Sequence, residues 1–204
     1  MKRMIFILLL LVFPAQVFAD DGFYGSFSGM ISIMEDSDLR YNDDEAGEME
    51  LDTGVGFSVA LGKKFGNGFR GEIEYAQRRS GISLPEQILL DDFGALDVSW
   101  IDANVHTYTA MFNLVYDIEN DSGMTPYFGG GLGIGWLEIP LFESGAAFAY
   151  QVLAGVNCEM TERTDLILGY RYAGMSDPET SIGENSMTAS VDSHNLEIGV
   201  RYSF

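Results

Sequence analysis

The chain has 204 residues, with 31 acidic against 11 basic side chains and a formal charge of −20. That balance excludes recognition of a phosphate backbone, which needs a basic footprint, so nucleic acid is not an expected partner. A single cysteine, Cys158, excludes an internal disulfide, and 24 glycines with 5 prolines fit many strands with few breaks.

The first residues read as an export signal. Lys2 and Arg3 form a positive segment, Ile5 to Phe13 an unbroken apolar one, and Val17 and Ala19 a small-x-small cleavage pattern. Cleavage is expected before Asp20, with residues 1–19 the signal peptide and 20–204 one domain. Losing two bases and no acid takes the formal charge from −20 to −22. The apolar run is shorter than the roughly 20 residues a helix needs to cross a bilayer. Nothing later approaches that length, so membrane embedding would have to use strands.

Period-two alternation dominates the rest. It predicts strands at Gly22–Ile33, Leu51–Lys64, Phe69–Ser80, Asn104–Ile118, Thr125–Leu137, Ala146–Cys158, Thr164–Ala173 and His194–Phe204. The last is the clearest, with Leu196, Ile198, Val200, Tyr202 and Phe204 alternating with Asn195, Glu197, Gly199, Arg201 and Ser203. Short turns are expected at Phe65–Gly68, Glu119–Met124 and Glu159–Arg163, the first through an Asn-Gly pair that favours a two-residue hairpin. Longer links fall at Met34–Glu50, Gly81–Ala103 and Gly174–Ser193, with a moderate one at Glu138–Gly145. Strict alternation of long and short links predicts an all-β, eight-stranded antiparallel up-and-down transmembrane barrel, with short turns and both termini in the periplasm.

Periodicity alone does not say which face points inward, and an exported carrier of the lipocalin kind would hold its apolar face inside. Three features favour apolar residues outside. The apolar face is too bulky for an eight-stranded lumen, whereas the other is small or charged, as in Gly129, Gly131, Gly133 and Gly135. That second face holds Arg70, Glu72, Glu74, Arg78, Asp117, Asp165, Arg171, Glu197 and Arg201, whose signs nearly balance, as paired ions in a confined space require. Aromatic residues gather near both strand ends: Phe23, Phe69, Tyr116, Phe128, Tyr202 and Phe204 at one, Tyr108, Trp136, Phe148 and Tyr172 at the other. Two such belts fit membrane interfaces.

The stretch from Val105 to Trp136, VHTYTAMFNLVYDIENDSGMTPYFGGGLGIGW, joins an alternating strand, a short polar turn and a PYxGxGxG strand. It resembles the signature of the opacity-protein and OmpA-like eight-stranded barrels, shared by the surface-antigen family of intracellular bacteria. The chain's last residues, Tyr202-Ser203-Phe204, resemble the terminal signal recognised by the barrel-assembly machinery. The resemblance implies a bacterial outer-membrane location and a surface antigen, adhesin or envelope-stabilising role, with some relatives porin-like. The peptidoglycan-binding domain of larger OmpA-type proteins is not seen after the barrel, so that role does not carry over.

Catalytic chemistry is poorly provided for. Some barrels of this size modify lipid A, but only His106 and His194 are available, on the parity of the apolar residues and outside any H-x-S arrangement. No His/Cys spacing fits a metal, the acids near Asp43 do not follow a calcium-loop pattern, and no cofactor is expected. Gly129–Gly135 lacks the Lys-Ser/Thr of a phosphate loop and reads as a crowded barrel wall.

The expected role of the interior charges is a plug, with Arg70, Glu72, Glu74, Arg78, Glu197 and Arg201 hydrogen-bonded across the lumen; a narrow porin-like channel is the alternative. Function would then lie in the outer links. The acidic run from Glu35 to Asp52 is expected to be a solvated loop, with a divalent cation or a partner as the sharper reading. Leu84, Ile88, Leu89, Leu90, Phe93, Leu96, Trp100 and Ile101 either extend the flanking strands or form a patch for a host or envelope protein. Outer-membrane lipid and lipopolysaccharide are the remaining expected partners.

Overall fold

Alternating side chains bury one face of each strand, and closing the ring leaves no backbone edge exposed to lipid. The computed structural model describes residues 22–35, 37–41, 44–83, 104–138, 145–176, 179–182, 185–189 and 191–204. Eight strands make the barrel: β1 (Phe23–Met34), β4 (Gly54–Lys64), β5 (Phe69–Ser83), β6 (Asn104–Asp117), β7 (Met124–Glu138), β8 (Gly145–Thr161), β9 (Thr164–Met175) and β12 (Val191–Ser203). Each pairs antiparallel with the next in that order. The ring closes through β1 and β12, in register from Tyr24 opposite Ser203 to Met34 opposite Ser193. The structure is the eight-stranded up-and-down barrel that the alternation predicts.

Apolar side chains point outward. Phe27, Ile73, Phe112, Leu132, Val152 and Ile198 are all exposed, and Ile73 keeps 72% of its surface. Such a continuous apolar exterior is stable only against lipid, which rules out the carrier arrangement. At the short-turn end Phe69, Tyr116 and Phe128 form a chain of rings with centroids 4.9 and 5.7 Å apart. At the long-link end Tyr150, Tyr172 and His194 follow one another at 6.4 and 5.2 Å. Leu132 lies at mid-height, opposite Phe112 and Tyr150. Leu132→Arg is expected to destabilise the lipid-embedded barrel by about 2–4 kcal/mol, read as a lower urea midpoint in liposomes.

The turns differ in detail from expectation. Gly66, Asn67 and Gly68 all take positive φ, at 76, 54 and 81°. Phe65 N–H donates to the Phe69 carbonyl at 2.8 Å, making a three-residue turn where Asn-Gly alone favours two. Glycine at both flanks lets the chain hold three successive left-handed residues at little steric cost. In the next turn Asn120 accepts from Ser122 N–H at 2.8 Å and donates to the Met124 carbonyl at 2.9 Å. The third shrinks to Glu162 and Arg163, because β8 runs on to Thr161 through an irregular register after Glu159.

The larger correction concerns the outer links. The acidic run is not simply a solvated loop: it contains β2 (Ser37–Tyr41) and β3 (Asp44–Leu51), paired as a hairpin. The last link contains a second hairpin, β10 (Glu179–Ile182) and β11 (Asn185–Ala189). The hairpins pair with each other through β11 and β2, Met187 opposite Tyr41 and Ala189 opposite Leu39. β3 joins the outer end of β5, with Leu51 opposite Ile82. The physical reason is backbone pairing: β2 at the hairpin's edge has unpaired N–H and C=O groups, and β11 supplies their partners. The apolar residues from Leu84 to Ile101 lie outside the described residues.

Candidate functional site

Inward positions of the eight strands carry small, polar or charged side chains. Glycine at 129, 131, 133 and 135 of β7, with Ser28 and Ser58, leaves room in the lumen for long side chains from other strands. Arg70, Glu72, Glu74, Arg78, Asp117, Arg171, Glu197 and Arg201 are all buried there, and Asp165 is half-buried at the short-turn end.

Toward the short turns, Arg70 donates through Nε to Asp117 at 3.0 Å and pairs with Glu72 through Nη1. Tyr24 donates its hydroxyl to Glu72 at 2.7 Å and accepts from Arg70 at 3.1 Å. Tyr24 lies over Gly62, where any Cβ would strike its ring. Arg201 pairs with Asp165 at 2.8 Å and reaches Asp117 at 3.9 Å. The Arg70 and Arg201 guanidinium carbons also lie over aromatic rings, 5.1 Å from the Tyr127 centroid and 5.4 Å from that of Tyr24.

A second group occupies mid-height. Arg171 pairs with Glu74 through Nη1, with Glu197 through Nη2 at 3.1 Å, and donates to Gln151 at 2.8 Å. Gln151 donates to Asn113 at 2.6 Å, and Asn113 donates to Glu72 at 3.3 Å and to Glu74 at 3.4 Å. Those two amides join the mid-height group to the lower one. Ring order makes the geometry a true crossing: β5 and β9 are diametrically opposed, and so are β6 and β12. Arg171–Glu74 and Arg201–Asp117 therefore span the whole lumen. A cavity of about 30 Å³ lies beside this group, bounded by Ser28, Asn157 and Arg171 among others, with room and polar partners for ordered water.

Arg78 stands apart. Among the described residues it enters no ion pair, and its Nε donates to the Asn195 side chain at 3.1 Å. The ion pairs therefore differ in membership from the six residues grouped by sequence: Arg78 is outside them, joined to the rest, among the described residues, only through Asn195, which donates to the Arg171 carbonyl at 3.2 Å. Asp117 and Arg171, inward by parity, are central to them. Asn113, Gln151 and Tyr24 are the hydrogen-bonding partners that charge-based reading passes over. Asn113 shares the parity of Asp117 in β6, Gln151 that of Ala149 and Asn157 in β8, and Tyr24 that of Ser28 and Ser32 in β1, which is the signal that finds them.

The two histidines are on the outer face at the long-link end and share no site. His194 sits 2.6 Å from Glu35 and 2.5 Å from the Tyr170 hydroxyl. His106 stacks on Tyr108 at 6.2 Å, on the far side of the barrel. Among the described residues no group of three or more His, Cys, Asp or Glu side chains is arranged to hold a metal.

Comparison with known proteins places this architecture. Of the solved structures, Neisserial surface protein A superposes with a TM-score of 0.64 at 20% identity, over 90% of this chain and 98% of that one. OprG of Pseudomonas aeruginosa gives 0.57 at 15% identity, over 90% and 96%. The solid-state structure of AlkL in lipid bilayers gives 0.53 at 16%, over 91% of each. At these identities what is shared is the fold. Uncharacterised proteins of Brucella abortus and Brucella suis are 22% identical over 162 residues, covering 67% of this chain and 55% of theirs. The chain thus spans about half the length of the curated relatives it matches. A family model described as the outer membrane protein beta-barrel domain matches residues 5–204. With that match over nearly its full length, the chain belongs to the outer membrane β-barrel family.

Proposed function

We propose that this is a non-enzymatic surface protein, an antigen, adhesin or envelope-stabilising barrel, whose charge-plugged lumen supports the paired hairpins β2–β3 and β10–β11. The observation that carries this reading is the pair of crossings, Arg171–Glu74 and Arg201–Asp117, which tie opposite walls of the barrel together. A conducting pore has to hold its charges on the wall and leave the axis to water. Here the guanidinium groups lie in the lumen with acceptors on several strands.

In this reading residues 1–19 are removed on export, the short turns face the periplasm and the acidic hairpins face outward. Outer-membrane lipid, with lipopolysaccharide in the outer leaflet, covers the apolar band. Tyr202 and Phe204 engage the assembly machinery. A host or envelope protein is the partner for the outer hairpins, since backbone pairing holds together a segment whose sequence from Glu35 to Asp52 is strongly acidic.

Planar-bilayer recording of the refolded protein tests the plug. The expected trace is flat, without steady unitary steps, across the voltage range the bilayer withstands. Reproducible single-channel conductance would instead support the small-channel alternative.

A further inference from the structure

The outer half of the lumen has a different chemistry from the plug beneath it. A cavity of about 10 Å³ lies there, lined by Arg78, Thr107, Thr109 and the methionines Met34, Met111 and Met175, among others. No carboxylate among the described residues lines it. Arg78 is 2% exposed, and its Nη2 is buried without an acceptor among the described residues. The hydroxyls of Thr107 and Thr109 are buried and equally without partners. On β6 these two threonines lie opposite Arg78 and Ala76 of β5.

The nearest candidate counter-ions are already engaged. Glu74 and Glu197 both hold Arg171, the other arginine of this part of the barrel. A buried guanidinium with no anionic contact is costly, and hydroxyls that find no acceptor add to the cost. A cation donor, two hydroxyl donors and a methionine surround, with no competing carboxylate, make a site for a negative charge. Its volume admits one small occupant and is too small for phosphate, sulfate or a carboxylic acid.

We propose that the outer lumen binds a single halide ion, chloride in a natural setting, between the Arg78 guanidinium and the hydroxyls of Thr107 and Thr109. The ion completes the hydrogen bonding of the upper barrel. It reaches the site from the long-link end, since the ion-pair crossings close the other.

Two measurements on the refolded full barrel test this. Crystals grown in sodium bromide are expected to show an anomalous bromide peak within hydrogen-bond distance of Arg78 and at least one of the two threonines. Urea unfolding in detergent micelles, at constant ionic strength with chloride replaced by gluconate, is expected to show a saturable rise of the midpoint with chloride. Thr107→Val with Thr109→Val is expected to weaken the apparent chloride affinity about tenfold or more, and Arg78→Met to abolish the dependence. Should Arg78→Met fail to fold, the threonine variant, which keeps every charge, decides. Absence of a bromide peak, with water alone at the site, overturns the proposal. So does a chloride dependence that is the same in the threonine variant as in the parent.

Discussion

Replacing Arg171 with methionine is expected to lower the unfolding free energy of the barrel by about 3–5 kcal/mol, the usual consequence of removing one member of a buried ion pair. Arg171 is the single cation gripping both Glu74 and Glu197, each more than nine-tenths buried. Its loss leaves two carboxylates facing each other in the lumen and takes away a donor to Gln151, which links Arg171 to Asn113. Urea unfolding in micelles or liposomes measures the change, with the heat-dependent gel shift of a folded barrel as the control for assembly. Adding Glu74→Gln and Glu197→Gln to Arg171→Met is expected to recover at least half of the loss, because neither carboxylate is then left without its cation. A midpoint unmoved by Arg171→Met would mean that the crossing is open in the membrane, and the plug would fall with it.

Gly133→Val is expected to have a larger effect and to prevent barrel assembly altogether. A Cβ at position 133 would press on the backbone carbonyl of Ala110 in the neighbouring strand and lie 2.8 Å from the Met111 sulfur. The side chain of Met111 has some freedom to move, but the Ala110 carbonyl belongs to the wall, where Met111 and Gly133 are held in register. Relief therefore requires β6 and β7 to part. That exceeds the about 1–3 kcal/mol of ordinary overpacking, which flexible side chains absorb. The gel is expected to show only the heat-insensitive, unfolded band. Gly29→Ala is the matched control, since nothing lies within 4 Å of the Cβ it adds, and it is expected to assemble like the parent. Normal assembly of Gly133→Val would show that β6 and β7 are not in the register described.

Much of this protein can be read from its sequence because a membrane barrel is governed by local rules. Period two assigns each residue to one face, and a face that carries Phe27, Ile73, Leu132 and Ile198 has to meet lipid. Alternating short and long links then leave each strand antiparallel to its neighbours, and eight strands with no free edge close on themselves. Parity likewise assigns Arg70, Glu72, Glu74, Asp117, Arg171, Glu197 and Arg201 to one face without reference to any distant residue.

Partner choice inside the lumen is a different matter. Arg171 has several carboxylates within a side chain's reach, and it meets Glu74 because β9 and β5 stand diametrically opposed at that height. The relative heights follow from the stagger of all eight strands, which no local window contains. For the same reason Arg78, identical to Arg70 by pattern, is left without an ionic contact while Arg70 has two. The outer hairpins show the same division. Acidic content makes Glu35–Asp52 look like a solvated loop, and nothing within it indicates pairing with β11, far along the chain. Only the closed ring, by bringing β1 beside β12, sets those two links next to each other. Face, strand number and membrane location were thus determined by the sequence, because they depend on alternation alone. Which charge meets which, and which links pair, was decided by the tertiary structure, because both depend on the shear of the closed barrel.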